Sequence, residues 1–426
     1  MAPTLKERYD DLRISQAPRE AARGAGASDD PFIVKLSHLV LSYGVEIKAS
    51  DIHIEPTASG ARIRYRMDGL LHEMLQLPQE TRDLLIRSIK VKANMTNDVV
   101  GRSKPQDSRL DFEAGGRKLD LRLSSFPTLF GDVLAFRILD RSVPVLELER
   151  VGFPPEMLHE FGRLIRRPNG LILVTGPAGS GKTTTLYAAL NALRSPRIKI
   201  VTLEDPVEYQ IDGIDQAQIN PAIGVTFASG LRAILRQDAN IILVGEIRDK
   251  ETAEISIRAA LTGHLVLSTM HTRNSLGAAT RLIDMEIEPH LILSSVTGVV
   301  AQRLVRVLCP RCNTHDPLAA KAFATLWNQE AGSPPSDLAA AAIKKAVGCP
   351  ACNGTGYHGR VGIFELLVLT DELKQPILDR ATGQLYKNAA SSGAVRTMLR
   401  NGLEKVAQGM TTIDEVLRVT GEVDVG

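Results

Sequence analysis

The chain has 426 residues, 44% of them hydrophobic and 23% charged, and a formal net charge of +2. That length suits two or three domains, and the composition is that of an ordinary globular protein. Near-neutral charge gives no global attraction to nucleic acid, and no apolar stretch approaches the length of a membrane span.

The amino-terminal segment MAPTLKERYDDLR is charged and lacks the apolar run of a secretory signal, so the protein is expected in the cytosol or on the inner face of a membrane. Residues 1–30 read as a flexible tail with a short helix over Leu5–Ile14. Lys6, Arg8 and Arg13 interleave with Glu7, Asp10 and Asp11, which predicts a solvated helix and not a membrane-binding face.

A first α/β domain is expected over 31–140, with about six strands and two helices. Phe32–Tyr43 has apolar positions at helical spacing, and Arg82–Met95 is helix-like. Asp51–Pro56 and Ala61–Met67 alternate polar and apolar residues as half-buried strands do, and Met67-Asp68-Gly69 supplies a turn. Arg109–Phe112, Lys118–Leu123 and Asp132–Ile138 read as further strands. The proline-rich stretch 141–155 reads as a linker.

Over 156–308 buried strands alternate with helices. The strands are Leu171–Thr175, Lys199–Leu203, Ile241–Val244 and Leu265–Thr269, and the helices Thr183–Arg194, Ala228–Gln237 and Lys250–Leu261. This is the pattern of a parallel, helix-covered sheet, which binds ligands at its carboxyl strand ends. The first strand runs into Gly176-Pro177-Ala178-Gly179-Ser180-Gly181-Lys182-Thr183-Thr184, a match to G-x-x-x-x-G-K-[ST] between a strand and a helix. Such a loop turns backbone N–H groups and the positive end of a helix toward phosphates. Lys182 would reach the β- and γ-phosphates and the Thr183 hydroxyl would hold Mg²⁺. The expected ligand is ATP.

Three polar clusters follow the other strands. Glu204-Asp205-Pro206-Val207-Glu208 offers carboxylates that could order Mg²⁺ and water. Gly245-Glu246-Ile247-Arg248-Asp249 follows an apolar run as a Walker B segment does, and Glu246 is placed to polarise the attacking water. His264 and His271 stand at either end of one strand, for sensing the γ-phosphate or contacting a neighbour.

Cys309-Pro-Arg-Cys312 and Cys349-Pro-Ala-Cys352 are two C-x-x-C pairs. Four thiolates suit a closed, structural Zn²⁺ site. The long spacer between the pairs predicts a helical insert, and Trp327 within it reads as a packing residue. A zinc subdomain is therefore expected over 309–358, followed by the helical carboxyl-terminal part, 359–426, of the second domain, with helical periodicity from Asp371 to Arg418.

In order along the chain, Ser50–Pro56, Arg64–Gly69, Lys104–Arg109, the phosphate loop, Leu203–Glu208, Leu231–Asp238, Gly245–Asp249, the histidine segment, the four cysteines and Gly409–Arg418 resemble the secretion ATPases of type II secretion and type IV pilus assembly. The resemblance implies a PAS-like first domain and a RecA-like ATPase domain with ATP between them. It implies a homo-hexameric ring that works an inner-membrane platform protein and meets the membrane peripherally through such partners. It implies catalytic roles for Lys182, Glu204, Glu246, His264 and His271, and nucleotide contacts from Arg109 and Arg122 of the first domain. For those arginines the alternative is a surface salt bridge on a strand. The tetracysteine element resembles the assembly and secretion branch.

The chain departs from the family pattern at Asp238-Ala239-Asn240, at Arg273 and at Ser108, and the long amino-terminal docking domain of many family members is not expected here. The competing reading is a RecA-like motor that translocates nucleic acid. A nucleotide-gated scaffold without turnover conflicts with Glu246.

Overall fold

The computed structural model describes residues 3–15, 30–95, 104–140, 146–331, 343–369 and 395–421. Expected features on 16–29, 141–145 and 370–394 lie outside the described residues. The chain divides into two compact units, Met1–Pro144 and Val145–Gly426.

The first unit opens with α1 (Leu5–Ser15) and α2 (Pro31–Glu46). Asp30 caps α2 by accepting from the Phe32 amide at 2.8 Å, and Pro31 occupies the first turn, where its missing N–H costs nothing. The helix α1 differs from the solvated helix expected. Leu5 and Tyr9, one turn apart, are 1% and 5% exposed and join the core, while Arg8 makes a bidentate pair with Glu46 at 2.7 and 2.8 Å. The mixed charges of this helix fill its other face, and the apolar stripe at four-residue spacing decides where it packs.

Strands β1 (Asp51–Thr57), β2 (Gly60–Met67) and β3 (Leu70–Pro78) are followed by α3 (Gln79–Lys92) and by β4 (Gln106–Ala114), β5 (Arg117–Thr128) and β6 (Gly131–Asp140). They form one six-stranded antiparallel sheet in the order β3-β2-β1-β6-β5-β4. Asp68-Gly69 makes the two-residue β2–β3 turn. The alternation seen in sequence puts Ile52, Ile54, Ile63 and Tyr65 on the helix-covered face, each fully buried. The other face carries charge. Arg109 pairs across the ladder with Arg122, Arg122 with Arg137, Arg137 with Asp51, and Asp51 with Arg66.

The second unit begins with α4 (Pro155–Ile165). Then come β7 (Gly170–Thr175), α5 (Lys182–Leu193), β8 (Ile200–Glu204), β9 (Asp215–Gln218), α6 (Phe227–Ile234) and β10 (Ile241–Val244). They lead to α7 (Lys250–Leu261), β11 (Leu265–Met270), α8 (Leu276–Asp284), α9 (Pro289–Ser295) and β12 (Val296–Leu308). After the short β13 (Thr314–His315), α10 (Ala319–Ala331) and β14 (Lys344–Lys345), β15 (Tyr357–Val368) returns to the main sheet, and α11 (Met398–Ala407) and α12 (Ile413–Thr420) close the unit.

The main sheet has seven strands in the order β15-β12-β7-β11-β10-β8-β9. All neighbours are parallel except β12 with β15. β7, β8, β10 and β11 are buried along their whole length, as expected of strands covered on both faces. Two apolar cores lie against the sheet. A further core holds Trp327, 3% exposed, against Phe323 with α11 and α12, so the tryptophan is a packing residue. Among the described residues no helix is long and apolar enough to cross a membrane.

Candidate functional site

Parallel pairing brings the carboxyl ends of β7, β8, β10 and β11 to one edge, and most of the expected site residues leave the sheet there. β7 ends at Thr175 and turns directly into the glycine loop. Gly176 can carry no side chain, because a Cβ there would lie 2.5 Å from Ser180 Oγ and 2.6 Å from the Gln302 carbonyl. Gly181, at φ +88°, takes the left-handed conformation that starts α5. Pro177, Ala178, Gly179 and Thr184 are exposed, Lys182 and Thr183 partly so, and Ser180 is buried.

The loop's donor set fits a polyphosphate. Thr175 Oγ1 and Ser180 Oγ are buried without hydrogen-bond partners, and both belong to the loop or its supporting strand. Lys182 Nζ turns back on the loop, donating to the Gly176 and Pro177 carbonyls at 2.9 and 3.0 Å. Burial lowers the Lys182 ammonium to about 8, against the opposing pull of Glu246.

Glu246 stands two residues beyond β10 and is held from both sides. The Gly245 amide donates to the Leu203 carbonyl at 2.8 Å, Thr269 Oγ1 donates to the Gly245 carbonyl at 2.7 Å, and the Ile247 amide donates to the Thr269 carbonyl at 3.0 Å. One carboxylate oxygen takes Arg248 at 2.5 Å. The other, Oε2, is buried with no hydrogen bond and lies 3.8 Å from His271 Nε2. His271 is pushed below its ordinary value by burial and then by the Lys182 charge, so it is neutral at pH 7 and meets a ligand as a hydrogen-bonding group. A carboxylate oxygen with an open lone pair, beside a lysine and a neutral histidine, can orient a water.

Two expected residues are placed otherwise. His264 precedes β11 and so lies at the opposite edge of the sheet, roughly 20 Å from His271 at about 3.3 Å per residue. Its Nδ1 meets the Ala259 carbonyl at 3.1 Å, and its own carbonyl accepts from the Gly170 amide. A histidine at that edge does not reach the phosphate loop of its own chain. Glu204 ends β8 at the right edge but turns inward. It is 4% exposed, and its oxygens accept from Tyr187 Oη at 2.5 Å, Thr202 Oγ1 at 2.6 Å and Gln216 Nε2 at 3.3 Å. Burial raises its carboxyl above the usual range. Its lone pairs are engaged by neutral donors, which leaves it unlike the open carboxylate expected for ordering Mg²⁺ and water.

Arg109 and Arg122 face each other on β4 and β5 of the first unit, exposed and half-buried respectively. The departure at Asp238–Asn240 lies at the amino-terminal strand edge, where Asn240 Oδ1 accepts from the Lys199 amide at 2.8 Å, so it leaves the glycine-loop edge unaltered. Arg273 follows the histidine segment and receives Arg303 on its carbonyl at 2.9 Å.

The four cysteines converge. Their sulfurs lie within 4.8 Å of one another, with Cys309–Cys349 at 3.9 Å, Cys312–Cys352 at 3.8 Å and Cys349–Cys352 at 3.7 Å. A tetrahedron with metal–sulfur bonds of about 2.3 Å has edges of about 3.8 Å, so the donor set fits zinc. A disulfide needs about 2.05 Å, which no pair approaches.

The Type II/IV secretion system protein family model matches residues 26–418. The chain is 46% identical over 399 residues to the Type II secretion system ATPase E of Vibrio cholerae, covering 93% of this chain and 77% of that one. It is 44% identical to the Type II secretion system protein E of Pseudomonas aeruginosa, covering 92% and 76%. Among solved structures it resembles the pilus retraction motor PilT with bound ADP, at 24% identity and TM-score 0.56 over 90% of this chain and 96% of that one. It also resembles the ATPase DotB of Yersinia pseudotuberculosis, at 20% identity and TM-score 0.66 over 94% and 97%. At these identities the solved structures speak to the fold.

One prediction follows from the lysine. A triphosphate beside Lys182 restores its proton, so nucleotide binding at pH 8 should take up a proton, and affinity should fall as pH rises above about 8. Calorimetry at pH 8 in two buffers of different ionisation enthalpy reads the uptake directly. Equal heats in both buffers would contradict it.

Proposed function

This chain belongs to the Type II/IV secretion system protein family, and from that membership we propose how its site turns over. The protein is an ATPase of type II protein secretion. Water attacks the γ-phosphorus, the bond to the ADP oxygen breaks, and ADP and phosphate leave. Residues 176–184 cradle the phosphates through backbone N–H groups, and Lys182 moves from the Gly176 and Pro177 carbonyls to the phosphate oxygens. Thr183 would hold Mg²⁺, whose charge offsets that of the phosphates.

Glu246 orients the attacking water. The observation that carries this reading is its buried Oε2, free of hydrogen bonds, on a carboxylate held in place by the Gly245 and Ile247 backbone. His271 hydrogen-bonds the γ-phosphate as a neutral group. Glu204, engaged by Tyr187, Thr202 and Gln216, serves as a positioning residue for the turn after β8. His264 serves contacts with a neighbouring copy or the fold itself.

Zinc on Cys309, Cys312, Cys349 and Cys352 would be structural, since four thiolates leave no open position. N–H groups of Cys349 and Gly356 donate to Cys352 Sγ at 3.2 Å each, which favours a thiolate there. Following the family resemblance, six copies form the working ring, and the first unit, including Arg109 and Arg122, closes over the γ-phosphate. Arginine suits that role through bidentate pairing with phosphate oxygens. The ring drives an inner-membrane platform protein and is held at the membrane by such partners. Nucleic-acid translocation gains no support from the relatives above, which are named for secretion.

Three expectations test this. Glu246→Gln keeps shape and removes the charge that orients water, so ATP binding should persist while hydrolysis falls by about 10²-fold or more. Turnover at the wild-type rate would overturn the assignment. Protein prepared without added zinc should carry one tightly held zinc ion per chain by elemental analysis, and Cys349→Ser should lose it without losing nucleotide binding. Four freely titratable thiols would contradict the site. Arg109→Ala and Arg122→Ala, assayed as assemblies whose mass is measured by light scattering, should lower the hydrolysis rate much more than ATP affinity. A rate equal to wild type in both variants, or a mass short of six chains at full activity, would count against the closure and ring readings respectively.

A further inference from the structure

The apolar strand β12 contains one residue whose burial needs a reason. Gln302 is 1% exposed in the run Val299-Val300-Ala301-Gln302-Arg303-Leu304. A buried carboxamide costs free energy unless both of its ends are hydrogen-bonded. Both ends of Gln302 are, and both bonds go to the nucleotide loop and its helix. Nε2 donates to the Ser180 carbonyl at 2.8 Å, and Oε1 accepts from Thr185 Oγ1 at 2.8 Å. The donor and acceptor ends are fixed by chemistry, because the Ser180 carbonyl can only accept.

The contact has a directional consequence. The Ser180–Gly181 peptide is trans, since the one cis bond among the described residues is Asp205–Pro206. In a planar trans peptide C=O and N–H point opposite ways. A Ser180 carbonyl drawn down onto β12 therefore turns the Gly181 N–H up and away from the sheet, toward the mouth of the loop. Glycines at both ends of the loop let β12 approach this closely. A Cβ on Gly181 would lie 3.1 Å from Gln302 Nε2, and one on Gly176 would lie 2.6 Å from the Gln302 carbonyl oxygen. Thr185, one turn into α5, fixes the rotation of the carboxamide from the other side.

We propose that Gln302 is a positioning residue of the phosphate loop: its carboxamide, oriented by Thr185, sets the Ser180–Gly181 peptide so that the Gly181 N–H is presented to the nucleotide phosphates. This rests on the ATPase reading above and deepens it. The residue touches no substrate and acts through the loop backbone. Its effect falls on the phosphates and not on the nucleoside.

The test uses the full chain and three variants: Gln302→Met, which keeps volume and removes both bonds, Thr185→Val, which removes the orienting donor, and the double variant. Each is titrated with a fluorescent ADP analogue and, by competition, with adenosine, and its melting temperature is measured without nucleotide. Gln302→Met should weaken ADP binding about tenfold, the effect of losing one well-placed hydrogen bond to a charged group. Adenosine affinity should stay near wild type, while the nucleotide-free melting temperature falls by a few degrees because the Ser180 carbonyl and the Thr185 hydroxyl are left buried without a partner. Thr185→Val should show a smaller loss in the same direction, and the double variant should be no worse than Gln302→Met alone. Wild-type ADP affinity in Gln302→Met would overturn the proposal. So would equal losses for ADP and adenosine, which would mark a purely structural role. If the wild-type chain itself bound no ADP, the ATPase reading would fall and this inference with it, before any variant was compared.

Discussion

Parallel strand pairing is the constraint from which the second unit's chemistry follows. A parallel ladder sends every strand the same way, so β7, β8, β10 and β11 deliver their following loops to one edge. The glycine loop, Glu246 and His271 meet there although they are distant in sequence. The same rule sends His264, which precedes its strand, to the other edge. A six-residue strand is long enough to separate two histidines that look adjacent in a motif.

Much of this is legible in the sequence. The apolar runs of β7, β10 and β11 announced themselves because strands covered on both faces must be continuously apolar. The glycine loop and the cysteine pairs were legible because their chemistry demands particular residues at fixed spacing. What escaped was set by tertiary contact. The edge strands β3 and β9 are half-exposed and carry no clean signal. β12 and β15 carry no clear strand signal because their sequences mix charge with apolar residues where they leave the sheet for the cysteine cluster, so the expected helical part over 359–426 begins in fact with a strand. Glu204 reads as an exposed acid after a strand, and only packing shows Tyr187 and Gln216 closing over it. Tyr187 and Gln302 belong to no motif, although a glutamine inside an apolar strand is a usable hint.

Away from the glycine-loop edge, two buried carboxylates of this unit sit in hydrogen-bonded sets that tie distant segments together. Glu365 on β15 accepts from both the amide and the hydroxyl of Ser275, at 2.7 and 2.5 Å, which anchors the start of α8 just after the histidine segment. Glu415 on α12 takes Arg306 at 2.8 Å and Arg418 at 2.7 and 2.8 Å, and Arg306 also lies 4.0 Å from the centre of the Tyr357 ring. Burial raises the Glu415 carboxyl, but the three hydrogen-bond contacts from Arg418 and Arg306 outweigh it and hold the group below its ordinary range. Removing one member of such a set leaves the others buried and unpaired, which is more damaging than the loss of one bond.

The antiparallel ribbon of β12 and β15 has a consequence for what lies beyond it. Its register closes at Leu308 opposite Tyr357, and the Cys309 amide donates to the Gly356 carbonyl at 2.9 Å. The chain therefore leaves the sheet and comes back at the same spot, whatever it does in between. Closing a longer excursion adds only about 0.6 kcal/mol for each doubling of its length. The base of the excursion between Cys309 and Tyr357 is therefore fixed by the ribbon, but its body is not free. Phe323, Trp327 and Ile343 pack with Ala301 and Val305 of β12 and with α11 and α12, so trimming it to a hairpin would uncover a core on the strand that underlies the glycine loop.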